Sequence, residues 1–318
     1  MRKMLIIAST LLVLGGIIFV IALGIGGWDI RNLGSIKYET KTYEFSEDIK
    51  NISIDTDTTD VVFVTTNEDK VKVVCYENVK TASSVTFSDG NLTISEKDNR
   101  KWYDYVTFFD FSSPKITVYI PAGEYGALSV KISTGDVSVS SGLSFETVTH
   151  NGSTGDVDIS ANASGLISVK VGTGDVELKG VEAGEIKVET STGDIDFENV
   201  TVTGDISVTT GSGEGEFSSV TCNNFTRKSG TGDSELENVI VSGKLSLTQS
   251  TGEVEFDRCD ASEIYVKTST GDVTGTLLTG KIFDTHSSTG NERVPQSTEG
   301  GICEIKTSTG DIKIKIVD

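Results

Sequence analysis

Histidine is nearly absent, with two in 318 residues. That leaves little room for a His-based catalytic relay or a His-rich metal site. Three prolines and four cysteines make neither a proline-rich linker nor a disulfide scaffold. Bases are outnumbered, 27 Lys and Arg against 47 Asp and Glu, for a formal charge of −20. This excludes nucleic acid as a partner, because affinity for its backbone rests on cations that neutralise phosphates. Helical periodicity is missing after residue 28, and no second long apolar run follows the first. What remains is 36% hydrophobic residues, enough to fold, and 34 glycines whose spacing carries the main signal.

Residues Met4 to Gly27 form an apolar run broken only by Ser9 and Thr10. At about 1.5 Å per residue it covers roughly 36 Å as a helix, against a hydrocarbon layer of about 30 Å. Arg2 and Lys3 favour an inside amino-terminus, and Trp28 suits the far interface. A cleaved signal peptide is the rival, with Ala22-Leu23-Gly24 as a weak cleavage site, but the apolar core exceeds the usual length of about 7–15 residues. The expectation is an uncleaved single-pass transmembrane helix within 1–27 and a linker at 28–40. Irregular amino-terminal coils and a cap follow at 41–127, then regular repeats at 128–318, all extracytoplasmic at the cell membrane.

Thr-Gly-Asp recurs down the chain, with glycines at Gly135, Gly155, Gly174, Gly193, Gly213, Gly232, Gly252, Gly271, Gly290 and Gly310, always 19 or 20 residues apart. Aligned on that glycine, residues seven before it are apolar, as in Ile167, Ile186 and Ile206, and so are residues four after it, as in Ile159, Leu178 and Phe197. Polar residues alternate between these columns, the mark of strands with one buried face. A weaker turn such as Ala183-Gly184 or Thr203-Gly204 lies about ten residues away. One such unit cannot bury its own apolar face, whereas stacked units bury every column. An antiparallel meander would not need the same side chain at the same phase in every copy. The expected fold is therefore an all-β parallel β-solenoid of 19–20-residue coils, rising about 4.8 Å per coil. The motif glycine is expected in a type II turn. The final segment, Ile312 to Ile316, is expected as a bare last coil whose outward lysines discourage edge pairing.

A single amino-terminal apolar segment, the strand Lys115-Ile116-Thr117-Val118-Tyr119-Ile120-Pro121 and serial I-x-V-x-T-S-T-G-D-V repeats resemble the bacterial "putative adhesin" family of β-strand-repeat domains of unknown function. The resemblance covers about residues 40–318. Similar members occur in Gram-positive envelope-stress operons, as the LiaG-like proteins do. It implies surface attachment and supplies no catalytic residues.

Three sets of residues are candidates for chemistry. One residue after the turn glycine stands an acidic row that includes Asp136, Asp156, Asp175, Asp194 and Asp233, with a second acidic row two residues on. Such rows could take Ca²⁺ through hard oxygen ligands, or the aspartates could cap their own turns on a solvated face. The second set is the aromatic cluster Trp102, Tyr103, Tyr105, Phe108, Phe109 and Phe111, either a partner-binding loop or a cap over the open end of the stack. The third is Cys75, Cys222, Cys259 and Cys303, which fall in apolar columns and are expected as buried free thiols. His150 replaces a core valine and His286 lies in an outward column. No nucleophile motif with a paired histidine appears.

The reading is a non-enzymatic, membrane-anchored, adhesin-like binding or scaffold protein. It has no cofactor unless calcium, and its partners are an envelope polymer, a cationic peptide or a membrane protein. An envelope-stress accessory role is the alternative. A polysaccharide-active enzyme ranks below it, because the acids are spread evenly rather than converging.

Overall fold

The computed structural model describes residues 2–25, 28, 38–79, 81–98 and 113–317. Among the described residues one helix, Arg2–Ile25, precedes an all-β body. Among the described residues no helix is long and apolar enough to cross a membrane. The described side chains of this helix are those of residues 10–21 and 24. A helix thus stands where the anchor was expected, but the expected transmembrane span is not found among the described residues.

The body is a parallel β-solenoid of about ten turns. Strand Asn162–Thr173 lies between Leu143–Thr154 and Glu182–Thr192, parallel to both. Ile167 faces Val148 on one side and Ile186 on the other. Past the motif turn, Val176–Lys179 lies between Val157–Ile159 and Ile195–Val202 with equal regularity. Each coil thus adds one strand to each of two ladders joined at the turns. Inward residues alternate with outward ones: Ile186 and Val188 are fully buried, Lys187 and Glu189 are not. Apolar side chains from both ladders meet in one continuous core. Phe217 lies edge-on to Phe197 at 5.3 Å and to Phe225 at 4.9 Å. Each fully buried aliphatic or aromatic side chain contributes roughly 1.5–3 kcal/mol.

Both ends of the stack depart from chain order. At the amino-terminal end, Asn51–Thr56 pairs with Gly123–Thr134, so the coil carrying Ile52 and Ile54 sits directly under Leu128 and Val130. Beneath it lies a coil made of Asn91–Asp98 and Lys115–Pro121. Antiparallel strands then close this end, Thr81–Ser88 against the first and Val71–Asn78, followed by Tyr38–Phe45, against the second. The aromatic residues Trp102 to Phe111 belong to the connection between those two strands and lie outside the described residues.

The other end corrects an expectation. Gly301–Thr309 pairs on one side with Val254–Lys267 and on the other with Lys281–Thr289. Ile312–Ile316 likewise lies between Val273–Leu277 and Glu292–Arg293. The last coil in sequence is therefore the penultimate coil in space, and the coil of Gly290 covers it. The reason is the polarity of their inward faces. The inserted coil turns Cys303, Ile305, Ile312 and Ile314 inward, all buried. The outer coil places Phe283, Thr285 and Glu292 opposite Cys303, Ile305 and Ile312, and Ser287 opposite Thr307, so its inward face is more polar, with Phe283 and Val294 only partly buried against the core. Its Glu292 closes that end, accepting hydrogen bonds from the Thr285 hydroxyl at 2.7 Å and the Ser287 N–H at 2.8 Å. The apolar coil goes inside and the polar one forms the lid.

The motif glycines with positive φ lie between 126° and 148°, well beyond the roughly +80° of the expected type II turn. A second corner, six residues after the motif glycine, is left-handed in five coils: Gly180 at 64°, Asn199 at 56°, Ser219 at 57°, Asn238 at 52° and Arg258 at 54°. Asn tolerates this conformation better than Ser. Ser219→Asn should raise the urea midpoint, with a gain of about 0.5 kcal/mol, whereas Ser219→Val should lower it by more than about 1 kcal/mol. A left-handed corner without strain would give no difference between the two variants.

Candidate functional site

The two acidic rows lie side by side on one ladder, just past the motif turn. Asp136, Asp156, Asp175 and Asp194 are exposed and Asp233 is half-buried. Their carboxylates form an inter-coil chain. Asp136 Oδ1 accepts the N–H of Asp156 at 2.9 Å, Asp156 accepts that of Asp175 at 2.9 Å, and Asp175 accepts that of Asp194 at 2.8 Å. Asp194 accepts from Glu214 at 2.7 Å and Asp233 from Glu253 at 2.7 Å. Each aspartate therefore caps the turn of the next coil, not its own as expected. Glu214 and Glu253, one methylene longer, make no such bond among the described residues. At the far end the chain runs Asp272, Asp311, Asn291, again out of sequence order. Lys313, 2.7 Å from Asp311, and the Asn291 N–H together hold the Asp311 carboxyl down to about 2.

The second row stacks Asp158, Glu177, Asp196, Glu216, Glu235 and Glu255 in register. Partial burial first, and the neighbouring carboxylates second, raise the carboxyl groups of Asp158, Asp196 and Glu235 above their usual range. Between the rows runs a shallow groove of about 450 Å³ from Asp136 to Glu216. A second groove of about 230 Å³ lies on the other side of the second row, between Glu216, Glu235 and Glu255 and the column of Ser218, Glu237 and Asp257. Among the described residues no group of three or more His, Cys, Asp or Glu could hold a metal ion. In the first row one carboxylate oxygen is already engaged by a backbone N–H, which leaves a weaker donor set for calcium. The opposite ladder carries bases as well as acids, and they pair: Lys131 with Asp55 at 3.1 Å, and Lys187 with Glu189 at 2.8 Å. The surplus negative charge is thus concentrated on one face.

The four cysteines are free and buried. Burial pushes the Cys303 thiol up to about 12, so it is inert.

One core residue escaped the sequence reading. Arg227 is fully buried in the column of Val208 and Leu247. Its guanidinium donates to Ser234 Oγ and, at 3.1 Å, to the Gly213 carbonyl; Ser234 donates on to Gln249 Oε1 at 2.8 Å. Gly215 makes the room, since a Cβ there would come within 2.5 Å of Arg227 Nε. Burial lowers the Arg227 pKa to about 10, opposed by the charge of Asp233. The signal was available: in neighbouring coils Val or Ile fills the column that here holds Gly215 and Ser234. His150, also in a core column, is buried with no partner for Nδ1 among the described residues, and burial lowers its pKa to about 4.

The chain matches the Toastrack DUF4097 family over residues 49–214 and 201–318. Among solved structures it is similar to a "putative adhesin" from Bacteroides fragilis, at 16% identity and a TM-score of 0.44, covering 89% of this chain and 99% of that one. It is also similar to a "putative adhesin" from Parabacteroides distasonis, at 13% identity and a TM-score of 0.47, covering 89% and 98%. A third, from Parabacteroides merdae, is 18% identical with a TM-score of 0.43, covering 76% and 97%. No curated protein matches the chain.

His150 makes a signed prediction about pH. Its folded pKa lies below the unfolded value of about 6.5, so between the two only the unfolded chain binds the proton. Stability should fall as pH drops from about 6.5 to about 4, by up to roughly 3 kcal/mol. Asp158, Asp196 and Glu235 act with the opposite sign, since their raised values favour the folded state once they protonate. Denaturant midpoints of wild type minus His150→Val, followed across pH, isolate the histidine. A flat difference would show that His150 is not buried neutral.

Proposed function

The chain belongs to the Toastrack DUF4097 family, and from that premise we propose that it is a non-enzymatic binding or scaffold protein of the cell envelope, held by its amino-terminal helix and presenting an acidic face to cationic partners. The observation that carries this reading is the even spread of carboxylates over successive coils from Asp136 to Glu255, where acids far outnumber bases and Lys179 is paired with Glu198. A catalytic pair needs two acids in different environments converging on one bond. Here the same environment repeats coil after coil. A ladder of equivalent charges suits many weak contacts with a repeating cationic ligand, a peptide or a charged envelope polymer, whose avidity grows with length. Calcium is not part of this reading.

The anchor rests on the apolar run Met4 to Gly27. Leu11 is 65% and Leu12 78% exposed, so the helix buries neither of them against the β body. A bilayer would supply the missing apolar contact and place the body outside, by the flanking Arg2 and Lys3.

The test uses membrane vesicles carrying the full chain and polylysine of about 20 residues. Binding should weaken steeply with salt, and replacing Asp158, Glu177, Asp196 and Glu216 by their amides should lower affinity about tenfold. Amides at Glu185 and Glu263 on the other ladder should change it little. The same chain without residues 2–25 should carry its polylysine binding into the soluble fraction. Equal losses from both faces would overturn the acidic-face reading, and continued sedimentation without the helix would overturn the anchor.

A further inference from the structure

Asn151-Gly152 is the one Asn-Gly pair in the chain. Asn151 is exposed on the ladder opposite the acidic rows, and its side chain makes no hydrogen bond among the described residues. Gly152 takes the next position, in the column of the buried Ile132. His150 explains why a glycine stands there. A Cβ on Gly152 would lie 2.7 Å from Nε2 of that buried imidazole, which crowds out a side chain. Pairing with the following coil is also interrupted at this point. Toward Asn162–Thr173 the ladder lapses over both Gly152 and Ser153 and resumes at Thr154 with Thr173. Between Asn162–Thr173 and Glu182–Thr192 it lapses over Gly172 alone.

The column of Asn151 is a row of charges with one gap. Asp55, Lys131, Asn151, Lys170 and Glu189 lie over one another in that order on successive coils. Lys131 pairs with Asp55 at 3.1 Å, and Lys170 with Glu189 at 3.5 Å. Glu189 also takes Lys187 at 2.8 Å. Asn151 therefore sits as a neutral residue between two lysines. A carboxylate in its place would make the signs alternate through all five coils, and opposite charges on directly facing strands stabilise a sheet.

We propose that Asn151 is a covalent modification site: with water as the only co-reactant, its side-chain amide is hydrolysed through a cyclic imide with Gly152, and the resulting carboxylate joins Lys131 to Lys170. Glycine presents its backbone nitrogen with no Cβ to shield it. That nitrogen bonds to Asn151 Cγ, the bond from Cγ to the side-chain nitrogen breaks, and ammonia leaves with the proton of the Gly152 amide. Water then adds at Cγ and the bond from Cγ to the Gly152 nitrogen breaks. One water proton returns to that nitrogen, the other goes to the ammonia, and Cγ keeps the oxygen as a carboxylate. Opening the ring at the main-chain carbonyl instead would run the backbone through an extra methylene and displace every later bond to the neighbouring coils. The stack therefore selects the ordinary aspartyl link. This inference is independent of the acidic face and of the anchor.

The full chain, purified in detergent and held for weeks at neutral pH, carries its own control. Asn199 is also exposed, at a left-handed corner with a φ of 56°, but the β-branched Val200 follows it. Peptide mapping by mass spectrometry should show Asn151 converted to the acid about tenfold faster than Asn199, and chiefly in the ordinary link. Equal rates at the two positions, or an amide that persists at Asn151, would overturn the modification site. The full chain with Asn151→Asp should have a higher urea midpoint at low salt, from an unfolding equilibrium constant about threefold smaller, and should lose that gain when Lys131→Gln and Lys170→Gln are added. An unchanged or lower midpoint in Asn151→Asp would overturn the role given to the lysines.

Discussion

Everything in this molecule depends on how closely one coil can lie on the next at the motif turn. There the backbone of each coil nearly touches that of its neighbour, and the motif position must carry no side chain. A Cβ on Gly193 would stand 1.9 Å from the Gly174 carbonyl oxygen. That approach permits the Gly174 N–H to reach Thr192 O at 3.0 Å and the Val176 N–H to reach Asp194 O at 2.9 Å. It also brings each aspartate within reach of the next coil's N–H. The acidic row is thus first a consequence of stacking. Its outward charge exists because the short carboxylate caps the following turn.

The same constraint explains how the stack begins and ends. A parallel ladder leaves unpaired edges, and each end handles them differently. Antiparallel strands fold over the first coils. At the other end the apolar coil is tucked under a more polar one, so that the coil left uncovered is the one carrying Thr285, Ser287 and Glu292 and not the one carrying Ile305 and Ile314. Hydrophobic pattern overrides chain order at this step, because burial of the apolar coil gains more than a sequential arrangement would. Polar residues inside the stack follow a stricter rule. Arg227 is tolerated because Gly215 yields space and Ser234 and Gln249 form a hydrogen-bonded chain beside it.

The repeat, the parallel stacking and the inward columns were legible because period-two alternation at a fixed 19–20-residue phase has one economical solution. Leu128 over Ile52 was less so, since 76 residues separate them and the repeat is interrupted between. The placement of the aspartates on one face was legible, but not their bonds across coils, because a turn-capping aspartate looks the same in sequence whichever turn it caps. Arg227 was hidden by its charge, which suggests a surface residue until its column is compared with Gly215 and Ser234. The inserted coil was hidden because spacing carries no information on spatial order. Only a comparison of the inward residues of the last two coils would have indicated it.

The most direct measurement compares two single substitutions by denaturant unfolding, Gly193→Ala at the motif turn and Gly180→Ala at the left-handed corner. Gly193 has a φ of 143° and the neighbouring carbonyl in the place of a Cβ; Gly180 has a φ of 64° and nothing within 4 Å. Gly180→Ala should cost about 1 kcal/mol, the strain of a left-handed alanine alone. Gly193→Ala should cost several times as much and broaden or split the transition as coils on either side uncouple. Equal, small losses at the two positions would contradict the close stacking of coils from which the rest is derived.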